Sequence, residues 1–207
     1  MTILVGKKAP DFTTQAVFAD GSLGDLNFGE ATKGKYAVLF FYPLDFTFVC
    51  PTELIAMDNR MDKLTDLGVE VVGVSIDSHF THLAWRNTPV DQGGIGQVRY
   101  TLGADMTHAI CQAYGIQSDG GLSGYPPGAA MRATFVIDPE GIVRHMVVND
   151  EPLGRNFDEV IRIVEGYQFF KENGQVCPAG WQAGEDGFTP GAGGNLNEYL
   201  SENSSKL

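Results

Sequence analysis

The chain has 207 residues, 43% of them hydrophobic and 19% charged. That suffices for one domain with a sizeable core and argues against wholesale disorder. The 14 Lys and Arg face 26 Asp and Glu, a net charge of −12, so the surface repels phosphate backbones and a nucleic-acid partner is not expected. No run approaches the roughly 18–20 apolar residues of a membrane span. Ile3-Leu4-Val5 falls short of the about 7–15 residues of a secretory h-region, so no membrane partner and a cytoplasmic location are expected.

Taken in chain order, Tyr36 to Phe41 is a continuous apolar run of strand length, suited to a buried central strand. Leu54, Met57, Met61 and Leu64 then recur at spacings of three and four, one stripe of a helix that Gly68 stops. Val69 to Ile76 is a second buried strand rich in β-branched residues. A short helix follows from Ser78 to Asn87, ended by Pro89. Gln97 to Leu102 reads as a strand, and Asp105 caps a helix through Cys111 to Tyr114 with Gly115 as its stop. Residues 120–128 form a loop with two prolines and no evident role.

Ala133 to Ile137 and Ile142 to Val148 are strands joined by Asp138-Pro139-Glu140-Gly141, a hairpin signal. The last long helix opens on Asn156 and Glu159, spaced as a capping box. It carries Val160, Ile163, Val164 and Tyr167 at helical spacing, and Asn173-Gly174 ends it. Beyond it the chain is rich in glycine and polar residues and reads as an extended arm with a short helix near Leu196 to Leu200. Strands alternating with helices, then a hairpin and a helix, predict an α/β architecture. Its form is a thioredoxin-like fold with a mixed central sheet flanked by helices, a domain over 1–173 and a C-terminal arm over 174–207.

Three cysteines, Cys50, Cys111 and Cys177, are too few and too far apart for a disulfide scaffold, and no Cys-x-x-Cys occurs. His79 and His82 lack a third ligand at suitable spacing and read as an exposed helix face rather than a metal site. No metal and no cofactor is expected. Cys111 reads as a small core hydrophobe, with a third thiol open to side disulfides as the alternative. Ser205-Lys206-Leu207 matches a peroxisomal address, but a tripeptide matches easily by chance.

Cys50 stands between a buried strand and a long helix, and Pro51 suits a first helical turn. A thiol there faces free backbone N–H groups and the positive end of the helix dipole, both of which favour thiolate. A thiolate attacking a peroxide yields sulfenic acid. Thr47 carries a hydroxyl able to accept from one partner and donate to another, and Pro43 stiffens the approach. Arg132, at the start of a strand, is the plausible cation to hold the sulfur ionised. Each has a plainer reading: Cys50 as a buried structural thiol, Thr47 as a helix cap, Arg132 as a surface charge.

The stretch Pro43-Leu44-Asp45-Phe46-Thr47-Phe48-Val49-Cys50-Pro51-Thr52-Glu53 resembles the active-site signature of the peroxiredoxins. The similarity continues through 73–78, 132–135 and 176–181 in collinear order, and is greatest to the typical two-cysteine class, bacterial alkyl hydroperoxide reductase C subunits in particular. The resemblance implies a thiol-dependent peroxidase acting on hydroperoxides. Cys50 would be peroxidatic, Thr47 and Arg132 would bind the peroxide, Pro43 would shield the pocket and Glu53 would orient Arg132. Cys177 would come from a partner subunit as the resolving thiol, implying a homodimer and, further, a ring of dimers. Electrons would come from an external thiol system, a flavoprotein disulfide reductase or thioredoxin. A ring-forming holdase and a peroxide sensor using the same cysteine are the alternatives. Gly93-Gly94-Ile95-Gly96 resembles a motif tied to overoxidation, but Tyr199-Leu200 keeps only half of its usual Tyr-Phe companion, which implies intermediate sensitivity.

Overall fold

The computed structural model describes residues 3–121 and 124–205. Lys206 and Leu207 of the terminal tripeptide, and Leu122 and Ser123 of the 120–128 loop, lie outside them. The chain divides into two compact units, Met1–Phe157 and Asp158–Leu207.

In the first unit, β1 (Thr13–Val17), β2 (Leu23–Asn27), β3 (Tyr36–Phe41), β4 (Val69–Ser75), β5 (Thr101–Ala104), β6 (Arg132–Ile137) and β7 (Val143–Asn149) make one sheet in the order β2-β1-β5-β4-β3-β6-β7. β3, β4 and β5 run parallel, and the remaining pairings are antiparallel. The sheet is therefore mixed, as expected for a thioredoxin-like fold. Helices α1 (Phe28–Ala31), α2 (Cys50–Asp58), α3 (Met61–Asp66), α4 (His79–Asn87) and α5 (Ala109–Ala113) connect the strands. β3 sits between β4 and β6, and its residues 37–41 are fully buried. Leu39 and Phe41 share a core with Val72, Val74, Ile110, Tyr114 and Phe135. The apolar run of β3 thus points functional side chains from the next segment toward one end of the sheet.

Several elements differ from expectation for local reasons. The stripe Leu54, Met57, Met61 and Leu64 is buried throughout, but it spans two helices, because Arg60, at φ −109° and ψ 0°, leaves helical geometry between α2 and α3. The strand expected over 97–102 begins only at Thr101. The Arg99 backbone N–H donates instead to Asp58 Oδ1 at 2.7 Å, which withdraws it from the ladder. The β1–β2 hairpin, which the sequence pattern does not announce, turns at Asp20-Gly21; Gly21 has φ 84°, the left-handed conformation that Asp-Gly turns use. Asp138 holds the β6–β7 turn by accepting from the Glu140 and Ile142 backbone N–H groups at 3.0 and 2.9 Å.

In the second unit, α6 (Phe157–Asn173) continues into the glycine-rich segment and α7 (Leu196–Asn203). The second unit thus gathers α6 with the C-terminal segment. The cause is packing: the Trp181 ring lies 5.0 Å from that of Phe169, its side chain is buried, and Arg162 donates to the Trp181 carbonyl. Val176 pairs with Phe188, so the arm folds back on itself instead of running extended.

Gly73 lies in β4 between β3 and β5. A Cβ there would come within 2.8 Å of Phe40 and 2.9 Å of Leu102. Gly73→Ala is expected to destabilise the fold by about 1–3 kcal/mol through overpacking, read as a lowered urea midpoint at unchanged slope.

Candidate active site

The segment leaving β3 turns sharply before α2. Pro43 is buried. Phe46 adopts φ 53° and sets its ring 5.7 Å from that of Trp85. The turn is tied down by a buried polar cluster. Asp45 accepts from the Tyr42 hydroxyl at 2.8 Å and lies 2.7 Å from His82 Nδ1, while its own backbone N–H donates to Asp77 Oδ2 at 2.8 Å. His82 Nε2 lies 3.2 Å from the Gly103 carbonyl. His82 is therefore fully buried, not on an exposed helix face as expected. The Pro89 stop placed the helix, but could not reveal which of its faces the sheet covers. Among the described residues no cluster suited to a metal ion occurs.

Cys50 is the first residue of α2 and fully buried. The cap residue is Val49, with no side-chain cap bond, so Thr47 is not the helix cap. Its hydroxyl donates to the Leu44 carbonyl at 2.8 Å, which leaves its lone pairs to accept from another donor. Arg132 Nη1 donates to Cys50 Sγ at 3.3 Å and to Glu53 Oε2 at 2.9 Å. Arg132 is 1% exposed, so it is a buried cation and not a surface charge. The structure thus brings Cys50, Arg132 and Glu53 into one hydrogen-bonded group. Thr47 and Pro43 stand on the loop that leads into it.

Glu53 is the hinge of that group. Besides Arg132 it accepts from Arg155, whose Nε, Nη2 and backbone N–H all reach its carboxylate at 2.8–2.9 Å. Arg155 Nη1 donates to the Ala133 carbonyl at 2.7 Å and to Thr134, and its guanidinium lies over the rings of Phe40 and Phe157. Sequence reasoning missed Arg155. It stands in the turn before α6 with no motif around it, and only the folded sheet carries it to Glu53.

Burial alone would raise the Glu53 pKa, but the Arg155 hydrogen bonds and charge, joined by Arg132, hold it below the ordinary 4.5. Burial would likewise lower Arg132; the Cys50 sulfur and the Glu53 carboxylate outweigh it and hold the guanidinium above its ordinary value.

Cys177 belongs to the second unit. It is half-buried, and its thiol donates to the Gly166 carbonyl of α6 at 3.3 Å. A Cβ on Gly166 would stand 3.4 Å from that sulfur, so the glycine makes the seat for the thiol. Burial pushes the Cys177 thiol up, and the Arg162 charge partly offsets it. The sulfur is thus seated on a helix. Cys111, on the buried face of α5, packs in the core, where burial and then Asp105 push its thiol up to about 12, as suits a structural residue.

Residues 5–146 match the AhpC/TSA family, and residues 166–201 match the C-terminal domain of 1-Cys peroxiredoxin. The chain is 46% identical to Peroxiredoxin-1 of Gallus gallus over 96% of both chains. It superposes on the reduced 2-Cys peroxiredoxin of Plasmodium vivax with a TM-score of 0.89 and 43% identity, covering 97% of this chain and all of that one. Enterococcus faecalis AhpC aligns at TM-score 0.76 and 36% identity over 86% of this chain and all of that one.

Removing the Glu53 charge leaves two buried guanidinium groups without their counterion. Glu53→Gln is expected to cost about 3–5 kcal/mol at pH 7. Because the folded carboxyl titrates below the unfolded one, its contribution is full above about pH 4.5 and is lost as pH falls through the folded value. Urea unfolding from pH 7 to pH 3 checks this: the gap between wild type and Glu53→Gln stays level down to about pH 4.5, then closes.

Proposed function

Since the chain belongs to the AhpC/TSA family, in its two-cysteine peroxiredoxin class, and is a thiol-dependent peroxidase, we propose that Cys50 is the thiol that attacks the peroxide and Cys177 the thiol that resolves it. The observation that carries this reading is the buried Arg132 guanidinium 3.3 Å from Cys50 Sγ at the first turn of α2. A cation and a helix N-terminus converging on one sulfur stabilise negative charge on it and on the oxygen that departs.

In the proposed cycle the Cys50 thiolate attacks one oxygen of a hydroperoxide. The S–O bond forms, the O–O bond breaks, and the alkoxide or hydroxide leaves with a proton as alcohol or water. The lone pairs of Thr47 and the donors of Arg132 hold the peroxide in line, Pro43 shields the pocket and Glu53 orients Arg132. Cys177 of the partner subunit then displaces water from the Cys50 sulfenic acid and forms a disulfide. An external dithiol, from a flavoprotein disulfide reductase or from thioredoxin, reduces it to restore both thiols. This cycle requires a homodimer, which further assembles as a ring of dimers. Three free cysteines suit a reducing cytoplasmic compartment. The first unit is then the peroxidase body and the segment after α6 the arm that delivers the resolving thiol. Neither a holdase nor a sensor is favoured by the family match.

The test is one equivalent of hydrogen peroxide on the reduced protein, followed by a non-reducing gel and peptide mapping. A dimer band linking Cys50 to Cys177, lost in Cys50→Ser and in Cys177→Ser, is expected. A protein that stays monomeric on the gel with only Cys50 oxidised would exclude Cys177 as the resolving thiol. Arg132→Ala is expected to slow Cys50 oxidation about 10²–10³-fold, read by stopped-flow tryptophan fluorescence.

A further inference from the structure

The 120–128 loop, which carried no role in the sequence, supplies a side chain to the edge of the site. Tyr125 is 2% exposed. Its hydroxyl accepts from the Arg132 backbone N–H at 3.0 Å and donates to the Asn149 carbonyl at 2.7 Å. Arg132 and Asn149 are register partners, the last rung of the β6–β7 ladder on this side. The phenol oxygen therefore sits inside that rung, relaying N–H to O=C through a side chain.

The relay has a direct consequence for the guanidinium. Just past Asn149, the Glu151 carbonyl accepts from Arg132 Nε at 2.6 Å, and the Glu151 carboxylate lies 3.4 Å from Nη2. Tyr125 thus ties together the backbone from which the Arg132 side chain springs and the segment that fixes its far edge. Its own position is set firmly. Ser118 and Gly128 close the loop base through Ser118 N–H to Ala129 O at 2.9 Å and Gly128 N–H to Ser118 O at 2.8 Å, and Gln117 pairs with Ala130. Burial holds the phenol above its ordinary range, against the Arg132 backbone bond and charge, so it stays a neutral group able to donate and accept at once.

We infer that Tyr125 is a positioning residue for peroxide reduction, its hydroxyl set in the terminal β6–β7 rung to aim the Arg132 guanidinium at Cys50. The inference rests on the reading of Arg132 as the group that binds peroxide. Tyr125→Phe keeps the ring and removes only the relay, freeing the strand ends to close or splay. Misplacing a catalytic group by about 1 Å can cost on the order of a hundredfold in rate, and the loss of one of several restraints on Arg132 is expected to cost about tenfold.

The experiment measures single-turnover oxidation of reduced full-length protein by hydrogen peroxide for wild type, Tyr125→Phe, Arg132→Ala and the double variant, with urea midpoints alongside. Tyr125→Phe is expected to slow oxidation about tenfold, and to slow it no further in the Arg132→Ala background. A general loss of structure would act in both backgrounds alike; equal slowing in both overturns the inference, as does a wild-type rate for Tyr125→Phe. If Arg132→Ala itself oxidises at the wild-type rate, the reading of Arg132 fails, and the inference with it. That pattern is distinct from a slow Arg132→Ala paired with an unaffected Tyr125→Phe, which overturns the Tyr125 role alone.

Discussion

Glu53 holds one negative charge between two buried guanidinium groups. Arg132 and Arg155 are 1% and 2% exposed at their side chains, and both meet the same carboxylate. Buried charge is tolerated only when paired and hydrogen-bonded. Two cations against one buried carboxylate leave an excess of positive charge, which the half-exposed Glu151 answers only in part. The remainder faces Cys50 Sγ. In the proposed reaction that surplus first steadies the thiolate and then the departing oxygen, so the same electrostatic imbalance serves both ends of the step. β3, α2, β6 and the turn before α6 all contribute to this one arrangement.

A second buried network holds the loop ahead of Cys50 from its other side. Tyr42, Asp45 and His82 link the end of β3 to α4, and Asp77 ties the Asp45 backbone to the end of β4. The loop is thereby fixed at its base, while the helix it enters lacks a side-chain cap. Val49 offers no side-chain cap to α2, where a Ser, Thr, Asp or Asn would contribute about 0.5–2 kcal/mol. A fully buried sulfur must be uncovered before another thiol can reach bonding distance. An uncapped first turn lowers the free energy of that local opening. In the proposed cycle the fixed base pre-organises the site for attack, and the uncapped first turn is where opening for resolution begins.

The second unit shows a parallel compromise at Cys177. Its sulfur is seated against Gly166, which also lies beside the Trp181 ring, and the indole N–H donates to the Glu185 carbonyl at 2.9 Å. These are local contacts within a segment of few apolar side chains, and such segments open at small cost. Burial raises the pKa of the seated thiol, with the Arg162 charge partly offsetting it.

Much of this was legible in the sequence, for reasons that differ by residue. Continuous apolar runs carried β3 and β4, because strands covered on both faces need no polar side; apolar strands around a turn signal carried the β6–β7 hairpin, and helical spacing carried α6. Cys50, Thr47, Pro43 and Glu53 lie within eleven consecutive residues, so their motif could be read locally, and Arg132 was marked by its place at a strand start. Arg155, Tyr125 and His82 were not legible. Arg155 is 102 residues from Glu53, Tyr125 is 24 from Asn149 and His82 is 37 from Asp45. No local pattern encodes such pairings, since each arises only when the sheet brings separate segments to one edge. The sequence by itself determined the strand and helix order and the class of chemistry, and it carried the cysteine proposed as the nucleophile. The tertiary structure alone decided which charges are buried together, and so which side chains hold the reacting groups in place.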